Sequence, residues 1–215
     1  MESKRALARR KMTEDIIAAG FAQLDRGGPD AVNLRAVARE LGVVSSAVYR
    51  YVSDRDEFLT LLIENSFRSL ADTVEADAGP FPTLALAMRR WALRYPNRWA
   101  LIYGTPIAGY AAPARTVEQG TRVVRMFLRL LHDAPPADTP SVSPGLHNNL
   151  DSIQSEWAPQ LNLGTIELAL EAWTRLLGLI SAEIFGHLGR DTLSAPEEFF
   201  RRSVQRIARS LGLGG

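Results

Sequence analysis

Apolar residues recur at intervals of three and four along almost the whole chain. No run of six or more residues alternates cleanly between apolar and polar before a Gly or Pro interrupts it. That periodicity predicts an all-α fold. From Thr13, the positions Ile16, Ile17, Ala19, Gly20, Phe21 and Leu24 mark a first helix of about four turns, with Thr13 as N-cap and Gly27-Gly28-Pro29 as the stop. Asn33 caps a second, shorter helix, in which Leu34, Val37, Ala38 and Leu41 form one stripe and Gly42 supplies the break. Ser45 caps a third over about 46–52. Ser53, followed by Asp56 and Glu57, caps a long fourth that runs toward Val74.

Gly79-Pro80-Phe81-Pro82 reads as a joint between helices, since neither proline suits a helix interior. A larger helical region follows, with apolar stripes over 83–95, 97–103, 116–132, 163–188 and 195–211. Between them, 134–145 holds Pro135, Pro136, Pro140 and Pro144 among small and polar residues, and predicts a mobile loop. There is no internal repeat.

Two short helices joined by Gly42-Val43-Val44 predict a helix-turn-helix, in which the first helix braces the second. Ala38 is small where the helices must approach, Val43 can plug the core between them, and Val48 and Val52 would face inward. Ser45, Ser46, Tyr49, Arg50 and Tyr51 offer hydroxyls and a guanidinium, groups that meet phosphates and base edges. Any all-helical protein contains short helix pairs with a glycine turn, so spacing alone leaves a purely structural role open.

Charge changes this picture. Among 215 residues, 25 Lys and Arg balance 24 Asp and Glu, a net +1. The partition is uneven, because the first 55 residues carry 10 cations against 7 carboxylates and the other 160 carry 15 against 17. Lys4, Arg5, Arg9, Arg10 and Lys11 face only Glu2 within residues 1–11, which reads as a basic flexible arm. With no cysteine there is no disulfide framework, no thiolate metal site and no thiol nucleophile. Apolar stretches are interrupted well before 18 residues, and no signal-peptide core follows the basic start. The expectation is therefore a soluble cytoplasmic protein with no membrane span.

At this point the string NLRAVARELGVVSSAVYRYVSDRDEFL resembles the N-terminal domain of the TetR family of bacterial transcriptional regulators, over residues 13–62. The resemblance implies that Tyr49 and Tyr51 meet the DNA backbone, that Ser45, Ser46 and Ala47 lie nearest the bases, and that Arg50 can also approach DNA. Arg55 stands where the family usually has a lysine, and Asn33 where it prefers Thr or Ser. Val44 replaces a common serine and Val52 a common phenylalanine. The partner implied is double-stranded DNA bearing a near-palindromic operator. The basic arm then becomes a contributor to phosphate binding.

The remainder is similar to TetR regulators carrying a C-terminal Trp-His-Gly signature, through RYPNRWALIYGTPIAGYAAP and AWTRLLGLISAEIFGHLG. Trp173 and Gly178 match, whereas Leu177 occupies the histidine position. Independently, Trp91, Tyr95, Trp99, Tyr103, Tyr110, Trp157 and Trp173, with Met126, could line a pocket for a small apolar effector or simply fill the core. The last two long stripes hold more apolar positions than one face needs. Leu176, Ile180, Ile184, Phe200, Val204 and Ile207 are therefore the expected homodimer interface, a four-helix packing about a two-fold axis.

Catalysis is not expected. His132, His147 and His187 are too scattered for a metal site, His187 with Asp191 reads as a solvated helix end, and there is no Walker loop, GxGxxG or nucleophile elbow. No cofactor or metal is implied. The organisation expected is a basic arm (1–11), a helix-turn-helix domain (12–53) and a larger helical ligand-binding and dimerisation domain (54–215). The function expected is a DNA-binding regulator, a repressor released by a small ligand. A regulator without a ligand and a helical protein-interaction module are the alternatives.

Overall fold

The structure is a computed structural model that describes residues 3–77, 79–133, 136, 138–189 and 192–213. Among the described residues it is all-α: α1 (Lys4–Gly27), α2 (Leu34–Glu40), α3 (Ser45–Val48), α4 (Arg55–Ala76), α5 (Phe81–Arg94), α6 (Pro96–Tyr103), α7 (Arg115–Asp133), α8 (Pro144–Trp157), α9 (Leu163–Ile184) and α10 (Pro196–Ser210), with a 3-10 turn at Pro29–Ala31. None of these helices is long and apolar enough to cross a membrane.

Two compact units divide the chain, with the crossings after Ser69, Arg94 and Gly120. One comprises Met1–Ser69 with Tyr95–Gly120, the other Leu70–Arg94 with Thr121–Gly215. In the first unit, Ile16, Leu24, Val37, Val48, Val52, Phe58, Leu59 and Leu62 form a shared core, joined by Leu101 of α6. Each such buried side chain contributes about 1.5–3 kcal/mol. The helix-turn-helix core is therefore completed by α4 and by a segment some forty residues further along.

The α1 helix starts earlier than its apolar stripe. Ser3 is the N-cap, its Oγ accepting from Ala6 N at 3.1 Å, and the residues expected as a flexible arm from Lys4 onward are helical turns. Arg, Lys and Ala are strong helix formers, and nothing between Ser3 and Thr13 breaks a helix. Thr13, expected as the cap, lies inside α1 and donates its hydroxyl to Arg9 O at 3.1 Å. At the other end Arg98 of α6 reaches α1. Its guanidinium donates to both Asp25 oxygens (3.2 and 2.7 Å) and stacks 3.9 Å above the Phe21 ring and 4.3 Å from the Tyr95 ring.

In the second unit, Phe81, Met88 and Trp91 of α5, Phe127 and Leu131 of α7, Leu176 and Ile180 of α9, and Phe200 and Val204 of α10 are buried core residues. Phe127 lies 5.0 Å from Phe81 and 6.3 Å from Trp173, ring to ring. Arg89 is 7% exposed. It donates from Nε and Nη2 to Glu183 at 2.7 and 2.6 Å, sits 3.9 Å from Glu197 and stacks on Phe200, so one guanidinium links α5, α9 and α10. Arg122 similarly holds Asp72 and Glu75, at 3.0 and 2.8 Å.

The proline-rich segment behaves differently from a mobile loop in its described part. Positions 134, 135 and 137 lie outside the described residues, as does Asp191 of the expected His187–Asp191 pair. Thr139 and Pro140 pack on the start of α9, where a Cβ at Gly164 would lie 2.5 Å from Pro140 O, so only glycine allows that approach. Pro144 then opens α8, a helix with no counterpart in the sequence expectation. Proline at the first helical position costs no hydrogen bond, so it starts this helix instead of breaking one.

Candidate nucleic-acid interface

The helix pair is held by caps at both ends of α2. Asn33 Oδ1 accepts from Arg35 N and Ala36 N at 2.9 and 3.3 Å, and Asn33 N donates to Gln23 Oε1 of α1 at 2.8 Å. At the C-terminus, Val43 N donates to Ala38 O and Gly42 N to Arg39 O, a Schellman closure with Gly42 at φ +67°. That left-handed residue turns the chain through the close angle between α2 and α3, and Val43 packs against the core as the pattern predicts.

The α3 helix is a single turn, shorter than expected, with Val44 and not Ser45 at the N-cap and no side-chain cap bond. Tight bonds from Arg50 N to Ala47 O and Tyr51 N to Val48 O carry the segment on as turns to Val52. Val48 and Val52 are 1% and 0% exposed, which fixes the opposite face toward solvent. On that face Ser46, Tyr49 and Arg50 are exposed, while Ser45, Ala47 and Tyr51 are half-buried. Asn33 and Arg55 are exposed at the flanking helix starts. The eight expected DNA-contacting residues thus fall on four neighbouring stretches of one unit.

The fourth helix is capped by Asp54, not Ser53. Asp54 Oδ1 accepts from Glu57 N at 2.8 Å, Asp54 Oδ2 accepts from the Ser53 hydroxyl at 3.0 Å, and Glu57 Oε2 accepts from Ser53 N at 2.6 Å. These bonds hold the carboxyls of Asp54 and Glu57 below their ordinary range, the backbone amides at Glu57 and Ser53 being the main causes. Because the folded values are depressed, the caps stabilise above the unfolded carboxylate values and that stability is lost as pH falls through the lowered ones. Carboxyl NMR titration is expected to place both midpoints under about 3.9–4.3, the ordinary Asp and Glu values. Ordinary midpoints would contradict the capping.

The aromatic residues do not form one set. Tyr95, Trp99, Tyr103 and Tyr110 belong to the first unit and Trp91, Met126, Trp157 and Trp173 to the second. Trp91 and Trp99 are 2% and 0% exposed and serve as core. Tyr110 is engaged too. The Thr60 hydroxyl donates to Asp56 O at 2.8 Å, so Tyr110 Oη donates to Thr60 at 2.9 Å. Tyr95 stacks under Arg98. Tyr103 differs: its ring meets Phe67 edge-on at 5.7 Å and Trp99 at 4.6 Å, while its buried hydroxyl has no hydrogen-bond partner among the described residues. Burial pushes the phenol well above its usual range, keeping it a neutral donor. Trp157 Nε1 is buried in the same unsatisfied way in the second unit.

The expected dimer residues are placed inward. Leu176, Ile180, Phe200, Val204 and Ile207 are 0–2% exposed within the second unit, and only Ile184 is half-buried. Periodicity marked two apolar stripes on each helix without saying which one the protomer's own core takes. The exposed apolar residues, which the sequence reading did not assign to the interface, are Phe185 and Leu188 just past the end of α9 and Phe199 of α10, at 40%, 50% and 38% exposure. With Gly178, Leu179 and Ala182 these residues line a groove of about 740 Å³ between α9 and α10, bordered by Arg175 and Arg206.

Known proteins agree with this geometry. Residues 16–61 match the family described as bacterial regulatory proteins, tetR family, and residues 81–207 match the tetracyclin repressor-like C-terminal domain. HTH-type transcriptional regulators of Mycobacterium bovis and Mycobacterium tuberculosis are 38% identical over 230 residues, spanning 97% of this chain and 95% of theirs. A solved regulatory protein superposes with a TM-score of 0.80 at 28% identity, over 96% of this chain and 98% of its own. A tetR family transcription regulator from Shewanella shares the fold, with a TM-score of 0.60 at 13% identity over 93% and 97%. The curated relatives are transcriptional regulators. A helix-turn-helix closed on a glycine turn, with both parts of the chain matched, places this protein in the TetR family as a helix-turn-helix, DNA-binding transcriptional regulator.

Proposed function

We propose that the protein is a cytoplasmic homodimeric repressor that leaves a near-palindromic operator when a small, largely apolar effector binds. The observation that carries the DNA reading is the pairing of exposed Ser46, Tyr49 and Arg50 with Val48 and Val52 buried behind them. Ser45, Ser46 and Ala47 read bases, Tyr49, Tyr51, Arg55 and Asn33 hold phosphates, and Arg50 serves either. Two such segments on a dimer reach major-groove sites about 34–36 Å apart or a multiple of that. Genomic fragments retained by the purified protein are expected to share a near-palindrome. Retention without sequence enrichment would overturn sequence-specific repression.

The second copy docks on the groove between α9 and α10, since exposed apolar rings bordered by small residues suit helix-on-helix packing across a two-fold axis. Phe185→Glu with Phe199→Glu is expected to give a folded monomer in sedimentation. A persistent dimer would move the interface elsewhere.

Tyr103 supports the effector reading. A buried phenol without a partner costs about 1–3 kcal/mol, which a ligand carrying a hydrogen-bond acceptor relieves. The α4 helix, whose residues to Ser69 belong to the first unit and the rest to the second, is the lever by which binding lowers operator affinity. Apolar compounds bearing a carbonyl or hydroxyl are expected to raise the melting temperature and release operator DNA. Tyr103→Phe is expected to raise the ligand concentration needed for both effects by up to about tenfold, the loss of one hydrogen bond. The burial of Trp91 and Trp99 favours a second reading, a regulator without effector, and unchanged melting across such a panel would select it.

A further inference from the structure

The helical start of α1 carries a feature that the helix-turn-helix does not require. Arg5, Arg9, Met12, Ile16, Ala19 and Gln23 follow one another at steps of four and three, so they form a single stripe. Its lower part faces the core: Ile16, Ala19 and Gln23 are buried and Met12 packs against them. Beyond Met12 the same stripe turns from apolar to cationic and runs on for about 10 Å, seven residues at 1.5 Å each. Arg5 and Arg9 are exposed there, and the Arg9 guanidinium lies 5.4 Å from the centre of the Tyr51 ring. Lys4 and Lys11 share a neighbouring stripe with Asp15, roughly a quarter turn away.

We infer that Arg5 and Arg9 form a rigid phosphate clamp that grips the DNA backbone beside the recognition segment. The inference rests on the DNA-binding reading of that segment and adds to it a contact surface on α1. Two observations and one property of the guanidinium group bear on it. The stripe that holds these guanidiniums is aimed by the core-facing side of α1, so its direction is set by Ile16 and Met12 and not by a mobile tail. The Arg9–Tyr51 stack ties the extension to the segment that carries Tyr49 and Arg50. Guanidinium is the group that binds phosphate oxygens in pairs, and cation–π stacking on Tyr51 orients Arg9 without consuming its charge. A helix held in this way loses little conformational freedom on binding, in contrast with a flexible basic arm.

The test uses the full-length protein and one operator-sized duplex of selected sequence beside one of unrelated sequence, titrated over a range of salt. Arg5→Gln with Arg9→Gln is expected to weaken both duplexes by a similar factor. It is also expected to reduce the salt slope by about two per protomer, one counterion for each lost phosphate contact. Lys4→Gln with Lys11→Gln removes the same charge from the neighbouring stripe and is expected to change the slope by less than half as much. Equal effects from the two pairs would show diffuse attraction and overturn the clamp, as would an unchanged slope in the Arg5, Arg9 variant. Arg9→Lys is expected to keep most of the slope; if it behaves as the glutamine does while the melting temperature falls, Arg9 serves packing on Tyr51 and the clamp is overturned. Should the double variant fold poorly, Arg5→Gln alone carries the test, since Arg5 is exposed. Ser45→Ala with Ser46→Ala in the same titration separates the two readings, since these are the side chains assigned to bases. Loss of preference for the selected duplex there, with an unchanged slope in the Arg5, Arg9 variant, overturns the clamp alone, whereas full preference in that serine variant overturns the recognition segment on which it rests.

Discussion

Replacing Arg89 by methionine is expected to lower the unfolding free energy by about 3–5 kcal/mol, because Glu183 would be left charged and largely buried without its partner. Arg89 side chain and Glu183 side chain are 8% and 21% exposed, and both guanidinium bonds are shorter than 2.8 Å. The cost arises from the orphaned carboxylate more than from the lost attraction. The double replacement Arg89→Met with Glu183→Leu should therefore recover most of the loss and lie within about 1–2 kcal/mol of the parent protein. Urea denaturation of the three variants decides the matter. A double variant as unstable as the single one would mean that the guanidinium acts mainly through its packing on Phe200 and its reach to Glu197.

Tyr49→Ala with Arg55→Ala is expected to reduce operator affinity more than about a hundredfold, since each hydrogen bond to a charged phosphate is worth about 1.5–3 kcal/mol and a dimer loses every contact twice. Neither side chain supports the fold: Tyr49 is 44% exposed and Arg55 is exposed at the first turn of α4. Dimerisation and melting temperature should therefore be unchanged. Fluorescence anisotropy with an operator duplex measures the loss. Retained binding near 10⁻⁸ to 10⁻¹¹ M, about the range of specific complexes, would remove the recognition segment from its assigned place.

The helix-turn-helix was legible because its signals are local. Asn33 caps by its own side chain, Gly42 closes by its own backbone, and Val48 and Val52 face inward by spacing alone. Signals that depend on partners were not. Trp91, Tyr95 and Trp99 stand four apart and read as rings that could line one pocket, yet the helix break at Pro96 that the pattern marks, with Tyr95 at φ −131° and ψ 61°, also lies where one unit gives way to the other. The three rings are consequently divided between two units. Along α9 and α10 the period located apolar stripes, but only the Arg89–Glu183 pair, 94 residues apart, and the core around Phe200 show which stripe turns inward. The start of α1 escaped for a third reason: a helix of Arg, Lys and Ala has no apolar stripe to announce it.

The interrupted make-up of the first unit limits how this regulator can be recombined. A fragment ending near Val52 would leave Ile16, Val37 and Val48 without Phe58, Leu59, Leu62 and Leu101, and would forfeit the Arg98–Asp25 tie. Exchanging DNA specificity with a relative by swapping only the N-terminal segment would therefore mate a foreign α1 with a native α6. A working chimera is expected to need residues 95–120 transplanted together with residues 1–69, as one indivisible cassette encoded in two pieces.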